Sequence, residues 1–570
     1  FDIDQGVGRE YWKADFKLKW YLDSDRESKH FKYGALAREG ISCLVCHHWK
    51  DEYPGDLKGF LNNSITGQFF ADEPGELIGP FNKIATLPMQ NALGITPKYN
   101  EHIKSARLCG SCHTIDLPVV DYPLKDPPVL PKGCGKVEPD LNVPDKNPNF
   151  EGFQHKIEQA TYLEWLNSQY QNEIQPVSTE TAKTCQECHM PRGYTSLKEN
   201  IGIPLIDIQN DDIDIKQIKT KIATIEDQDY PEAGNRADTE KITVPIRDEG
   251  FTRHKHQGLN IFMAEVFNQF SDVLGVRLDD YETGAYGDNF AINNFVENAR
   301  RSAKIEINNF KVTSEGATVP DYLVSADVKI TNLTGHRFPS GVGFRRAFIE
   351  FLIIDNSISV VDNTAKLSKV VWGSGQTNSV GVIVDGNGNI LPSEFLTDGK
   401  FQKHRETIEN PDQVQIYEEL TKNAKGEFTT SFTHRDCEVK NNRLLPIGWK
   451  KEGPSPGAIP KAFLEATYPG ELASKDPHYN DGSGTDVVKY RVKLPAGVNP
   501  KYVSVQATLY SQAWAPYYLN QRFSNVPDGS EGASRRRLYY LLSNLNVTGT
   551  PIEDWKLELV SATAMQREVP

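Results

Sequence analysis

Long apolar runs are missing from this chain. Across 570 residues no stretch approaches the roughly 20 consecutive apolar residues needed to cross a bilayer, so no transmembrane segment is expected. A basic face is missing too. The chain carries 77 acidic and 63 basic side chains, a formal charge of -14. The arginines Arg345, Arg346, Arg535, Arg536 and Arg537 are too few to form the stripe that neutralises phosphate. A nucleic-acid partner is therefore not expected, whereas an acidic surface suits solubility or docking to basic partners. No charged stretch followed by an apolar one opens the chain at Phe1, so any export signal is expected to have been removed already. Methionine is scarce, at four residues.

What is present is ordinary in composition: 38% apolar and 25% charged, with 34 prolines and 43 glycines that imply many turns. A chain of this length exceeds one hydrophobic core and is expected to form about two to four domains.

Six of the eight cysteines repeat one pattern. Cys43, Cys46 and His47 lie in CLVCH, Cys109, Cys112 and His113 in CGSCH, and Cys185, Cys188 and His189 in CQECH. In C-x-x-C-H two thiols can add across the vinyl groups on one porphyrin edge, while the following imidazole turns onto the iron. A single such motif could equally hold zinc or serve as a redox dithiol. Three repeats that use nearly all the cysteine point to three covalently bound haems c. Attachment of that kind takes place after export, so the motifs place the chain in a periplasm, on a cell surface or outside the cell. An oxidising compartment would also let Cys134 and Cys437 form a disulfide, the alternative being two buried thiols.

An electron-carrying haem needs a sixth ligand. With 13 histidines and four methionines, of which Met190 abuts a proximal histidine and Met565 lies in the tail, paired imidazoles are favoured over His/Met ligation. Three histidines stand out by context. His336 lies in NLTGHRFPSG, where a strand ends and Gly335, Pro339 and Gly341 build a turn that can present an imidazole. His254, in RHKHQGLN, precedes an apolar-periodic helix, and His102 lies seven residues before Cys109. His48, His256, His30 and His155 are reserves. His48 follows His47 directly and would have to serve an adjacent haem.

The expected architecture is α+β: a loop-rich, partly helical three-haem region over 1–200, then an antiparallel β-sandwich over 303–570. Between them lie an acidic connector and amphipathic helices over 201–302. A helix is expected from Glu158 to Gln171. A second apolar stripe, Phe262, Val266, Phe270 and Val273, has helical spacing and reads as core. From Lys304 onward alternating segments such as YLVSADVKITN, RRAFIEFLIIDN, DVVKYRVKLP and YVSVQATLYSQA read as strands. Loops at Asp385 (DGNGNI) and Asp481 (DGSGTD) space oxygens as calcium loops do without completing an EF-hand, so hairpin turns are the plainer reading.

These residues together resemble multihaem c-type cytochromes in which a C-terminal β-sandwich follows the haem region, a group that includes filament-forming extracellular cytochromes. The resemblance is carried by GISCLVCH, SARLCGSCHTIDLPV, EQATYLEWLNS and TCQECHMP, then by NLTGHRFPSG, RRAFIEF, QVQIYEE and NNRLLPIGW, and so spans most of the chain. It implies electron transfer. It also implies distal ligation by the histidine of the GHxFPxG turn, here His336, and by one opening an HxFxGxN segment, here His254. His256 stands where that segment has an aromatic, so the choice between His254 and His256 is open.

The partners so implied are other copies of the chain in a head-to-tail filament, redox proteins or extracellular electron acceptors. The competing function is a multihaem oxidoreductase with one open-faced haem. Such nitrite-reducing enzymes typically carry a CxxCK variant, and this sequence has none. Intact mass spectrometry of the denatured, unreduced chain is expected to show three haems above the polypeptide mass. Fewer would overturn the reading of the motifs.

Overall fold

The computed structural model describes residues 25–28, 30–31, 41–123, 153–190, 252–274, 287–315, 321–357, 369–529 and 532–566, less positions 69, 72, 74, 253 and 257. The chain forms two compact units. The first comprises Phe1–Cys112, Val143–Gly152 and Thr184–Lys255, and the second His113–Asn142, Phe153–Lys183 and His256–Pro570. The expected acidic connector of 200–250 lies outside the described residues, as does Cys134. Among the described residues no helix is long and apolar enough to cross a membrane.

The first unit is built of short pieces. Each cysteine motif there starts or forms part of a helix of about one turn, and these are joined by turns and two-stranded pairings. Its apolar centre among the described residues is Trp49, Ile78 and Leu108, with Cys46, Ile103 and Cys112 packed against them.

The second unit opens with β1 (Ile115–Pro123) and β2 (Phe153–Gln159), an antiparallel pair, followed by α1 (Thr161–Leu166). Next come α2 (Ile261–Gln269) and α3 (Gly287–Ser302). Then follow β3 (Ala303–Glu315), β4 (Asp321–Asn332), β5 (Arg346–Asp355), β6 (Lys369–Ser374), β7 (Thr407–Ile408), β8 (Ile416–Tyr417), β9 (Thr485–Lys493), β10 (Val503–Gln512) and β11 (Leu557–Met565). One sheet runs β7-β9-β4-β3, the other β6-β5-β10-β11 with β8 on β5. All these pairings are antiparallel except β7 with β9. The fold is therefore α+β with sandwich-like sheets.

Alternation in the sequence explains the packing. Val324, Ala326, Val328 and Ile330 of β4 and Val488, Tyr490 and Val492 of β9 are buried in the same cluster as Ala347, Ile349, Phe351 and Ile353 of β5 and Val505, Ala507 and Leu509 of β10. Two inner faces thus share one core. Phe351 stacks on Tyr490 with ring centroids 3.9 Å apart, joining the two sheets.

Two helices differ from expectation. The segment Glu158–Gln171 is helical only over Thr161–Leu166, because Glu158 and Gln159 belong to β2, where Gln159 pairs with Ile115. At the other end the Gln169 N–H donates to the Ile447 carbonyl at 2.8 Å and draws the chain away. The stripe of Phe262 and Val266 is buried, but Val273 is 56% exposed, because α2 ends at Gln269 and Phe270 leaves helical geometry. The loops at Asp385 and Asp481 are turns closed by their own carboxylates. Asp385 accepts from the N–H groups of Asn387 and Asn389, each at 2.8 Å, and Asp481 from that of Ser483 at 2.8 Å.

Phe351→Ala would remove the ring joining the sheets and is expected to cost about 3–5 kcal/mol. Denaturant unfolding of the variant checks this, and a loss below about 1 kcal/mol would show that the two faces do not share a core there.

Candidate haem-attachment and ligand sites

The first motif forms a helix over Cys43–His47, entered from extended Ser42. Nδ1 of His47 lies 2.7 Å from the Ile78 carbonyl. A carbonyl can only accept, so Nδ1 carries the proton and Nε2 the lone pair. His254 lies beside it: the two imidazole centroids are 6.1 Å apart with ring planes 31° apart. Metal-bound imidazole nitrogens sit about 2.0 Å from the ion and about 1.1 Å from their ring centres, so two such rings trans across one ion stand about 6.2 Å apart. The spacing of His47 and His254 fits that arrangement. His48 turns elsewhere, with Nε2 3.0 Å from the Glu73 carbonyl. His256 has φ +47° and is exposed.

The second motif begins on a helix over Ala106–Gly110, capped by the Ser105 hydroxyl, which accepts from the Arg107 N–H at 3.2 Å. The third, Cys185–His189, is closed by a capping box. The Thr184 N–H donates to Glu187 at 2.8 Å and the Glu187 N–H donates back to the Thr184 hydroxyl at 3.4 Å. Buried Gln186 ties the third motif to the second by donating to the carbonyls of Ser105 at 2.8 Å and Ile103 at 3.2 Å. The Cys185 and Cys109 thiols are hydrogen-bonded, which lowers the latter's pKa against the effect of burial. Burial and then the neighbouring Cys109, Cys112 and Cys43 push the Cys46 thiol up to about 11. Sulfurs from all three motifs are thus gathered within the first unit, and none of the six is tied up in a disulfide, as thioether attachment requires.

His102 is 4% exposed, yet neither ring nitrogen has a hydrogen-bond partner. Its neighbours are the Trp49 ring at 6.0 Å and an Asp51 oxygen 3.8 Å from Nδ1. Burial, reinforced by Arg107, lowers its pKa despite Asp51. An unmet buried polar group costs about 1–3 kcal/mol, and a nitrogen lone pair aimed at a bound metal removes that cost. The residues present in this unit fit a ligated haem iron on this count as well.

In the second unit the Tyr162 N–H donates to the His113 carbonyl at 3.1 Å, and His113 Nδ1 lies 3.2 Å from Gln159 Oε1. Nδ1 of His336 donates to the Arg337 carbonyl at 2.8 Å, which again leaves the lone pair on Nε2. His155 lies beside Asp116, with Nδ1 3.4 Å from Oδ2, and His30 sits in a turn where its N–H donates to the Ser28 hydroxyl at 3.2 Å. Cys437 is disulfide-bonded.

Among the described residues one other group has the closeness of a metal site: His404, Asp476 and Asp486, all buried in the sandwich. Hydrogen bonding already occupies it. The Gln415 amide, whose oxygen accepts from the Arg405 N–H at 2.9 Å, directs its nitrogen at His404 Nδ1 at 3.1 Å and at Asp486 Oδ2 at 2.8 Å. Nδ1 is therefore an acceptor, and Nε2–H donates to Asp476 at 3.0 Å. Burial works against the Asp476 charge, but bonds from His404 and His478 hold its carboxyl down at about 2. The imidazole has no lone pair left for a cation.

Sequence reasoning did not single out Gln186, Ile78 or Glu164. Gln186 is one of the two variable positions inside CxxCH, and Ile78 acts through its backbone, so neither leaves a signal. Glu164 did leave one, as a carboxylate within the apolar helix TYLEWL.

Replacing Gln186 by Leu strips hydrogen bonds from two carbonyls and is expected to destabilise the first unit by about 1–3 kcal/mol. Limited proteolysis at rising temperature would show cleavage between the second and third motifs at lower temperature than in the parent; unchanged cleavage would count against the tie.

No protein-family model matches the chain, and no curated protein matches it. Among solved structures, a penta-heme cytochrome c552 from Thermochromatium tepidum is similar at a TM-score of 0.37 and 14% identity, over 94% of this chain and 78% of that one. A similarity at that level fixes neither fold nor function.

Proposed function

We propose that this chain is a secreted electron-transfer protein with three covalently bound haems c. They are attached through Cys43 and Cys46, Cys109 and Cys112, and Cys185 and Cys188, with His47, His113 and His189 as proximal ligands. His254, His102 and His336 supply the second imidazoles. The observation that carries this reading is the pair His47 and His254, whose rings are 6.1 Å apart with the His47 proton already committed to the Ile78 carbonyl. Haem iron held between two imidazoles accepts and releases single electrons and offers no open position to a substrate.

Backbone carbonyls do the positioning. The Ile78 and Arg337 carbonyls fix the tautomers of His47 and His336, so each presents a lone pair without a proton transfer. Trp49, Ile78 and Leu108 give the Cys46 and Cys112 thiols apolar neighbours. The disulfide at Cys437 suits an oxidising compartment, so the reading places the chain outside the cell, on its surface or in a periplasm. Its partners are redox proteins or extracellular acceptors, and other copies of itself. Three haems span only part of a molecule this size, so a long conductor requires head-to-tail repetition through an interface that does not close on itself.

Electron paramagnetic resonance of the oxidised holoprotein is expected to show low-spin iron throughout, and His254→Ala, His102→Ala and His336→Ala each to convert about one third of it to high spin. High-spin iron in the parent would favour the oxidoreductase instead. Electron microscopy is expected to show fibres; a small discrete particle at high concentration would reject the filament while leaving the ligand assignments standing.

A further inference from the structure

We infer that Glu164 is a positioning residue for the His336 imidazole, acting through the turn that bears it. This rests on the reading of His336 as an axial ligand. Glu164 lies on α1, a helix of six residues, and is 1% exposed. One of its oxygens accepts from the Arg337 backbone N–H at 3.1 Å and from the Ser340 hydroxyl at 2.8 Å. The other faces the Arg337 guanidinium at 3.7 Å and has no hydrogen-bond partner. A single carboxylate thus grips the turn on both sides of the cis Phe338–Pro339 bond, one residue after His336 and four residues after it.

Neighbouring contacts make α1 a frame rather than a lone clasp. The Thr161 and Ser340 hydroxyls are 3.0 Å apart. A Cβ at Gly335 would come within 3.2 Å of Trp165 Cδ1 and 3.4 Å of the Tyr170 ring, so a side chain there would push Trp165 aside by a few tenths of an ångström. From the other side buried Asn332 donates to the His336 carbonyl at 2.8 Å and to the Leu444 and Leu445 carbonyls. Phe338 and Leu444 exchange backbone hydrogen bonds, each at 2.9 Å. The same helix receives His113, whose carbonyl accepts from the Tyr162 N–H. A proximal histidine and a candidate distal histidine are therefore referred to one short helix. Glu164 touches neither imidazole and acts only through backbone placement.

The charge matters as well as the shape. Arg337 is 1% exposed, its guanidinium bonds the Tyr468 carbonyl, and Glu164 is the carboxylate paired with it, with Glu438 and Glu419 acting on it as well. Removing that carboxylate leaves Arg337 to pull the turn toward water.

The test compares Glu164→Ala, Glu164→Gln and His336→Ala in the haem-loaded protein by electron paramagnetic resonance and by cyanide binding to the oxidised form. Glu164→Ala is expected to give the high-spin signal of His336→Ala on about one third of the iron. Glu164→Gln, which keeps an acceptor for Ser340 and Arg337, is expected to remain low-spin but to bind cyanide at one haem about tenfold faster than the parent. If His336→Ala stays low-spin, the assignment of His336 as a ligand fails. If His336→Ala turns high-spin while both Glu164 variants match the parent in spin state and cyanide rate, the positioning role fails. Should Glu164→Ala yield no folded protein, the cyanide rate of Glu164→Gln decides alone, a parental rate overturning the inference.

Discussion

The apolar cluster described around the motif thiols of the first unit is small, and the proposed chemistry depends on that. Its described centre is three residues, Trp49, Ile78 and Leu108, and the groups packed against them include the motif thiols Cys46 and Cys112. Short helices of about one turn contribute little on their own, since most helical stability comes from packing an apolar face. A region made this way stays compact when something else supplies the interior. On the proposed reading three porphyrin rings do so, each attached by two thioethers and one imidazole, and ligation becomes folding energy. The unmet nitrogens of His102 and the gathered sulfurs of Cys46, Cys109 and Cys185 are what such a core leaves when only its polypeptide is counted.

The second unit solves the opposite problem. Its sandwich closes over a continuous apolar core, and two of the charge pairs it buries are matched at close range. Arg346 meets Glu394 through two bonds of 2.8 and 2.7 Å, with Gln512 on its remaining side. Lys440 meets Glu418 at 2.8 Å and also the Ile416 carbonyl. Such pairs add little net stability, but removing one partner costs about 3–5 kcal/mol, so they punish alternative arrangements more than they reward the native one. A stiff frame is what a ligand-bearing turn needs. The segment 332–341 is tied by Asn332 to the 444–445 segment and by Glu164 to α1, leaving the His336 backbone little freedom of placement.

Much of this was legible in the residues. The strands of the sandwich follow from period-two alternation, and β4, β5, β9 and β10 fall where YLVSADVKITN, RRAFIEFLIIDN, DVVKYRVKLP and YVSVQATLYSQA place them. The cysteine motifs announce themselves by spacing. What was not legible is tertiary. The stretch Glu158–Gln171 has helical composition throughout, but strand pairing with β1 claims its start and the Ile447 carbonyl its end. The choice between His254 and His256 is undecidable two residues apart in an extended segment. In three dimensions it is His254 that stands beside His47, while His256 adopts a left-handed backbone. The division into units is also tertiary, since 113–123 and 153–183 belong with the second unit although they lie among the motifs in sequence.

Both tautomer-fixing contacts use a backbone carbonyl, from Ile78 for His47 and from Arg337 for His336. A carboxylate in that place would push electron density toward the ring and raise the basicity of the ligand. A neutral carbonyl does this weakly, so the basicity of the two imidazoles differs little, and on the proposed reading burial becomes the variable that separates the haems. His102 is almost wholly enclosed and His254 is exposed. The oxidised iron carries one more positive charge than the reduced, and a low-dielectric surround disfavours the more charged form. On the proposed reading, enclosure by itself would make a haem ligated by His102 hold its electron more tightly than one ligated by His254. The acidic surface acts in the opposite sense, stabilising oxidised iron most where water and counter-ions screen it least. The two effects oppose each other at the buried site, where an Asp51 carboxylate oxygen 3.8 Å from His102 Nδ1 favours the more positive iron against the enclosure.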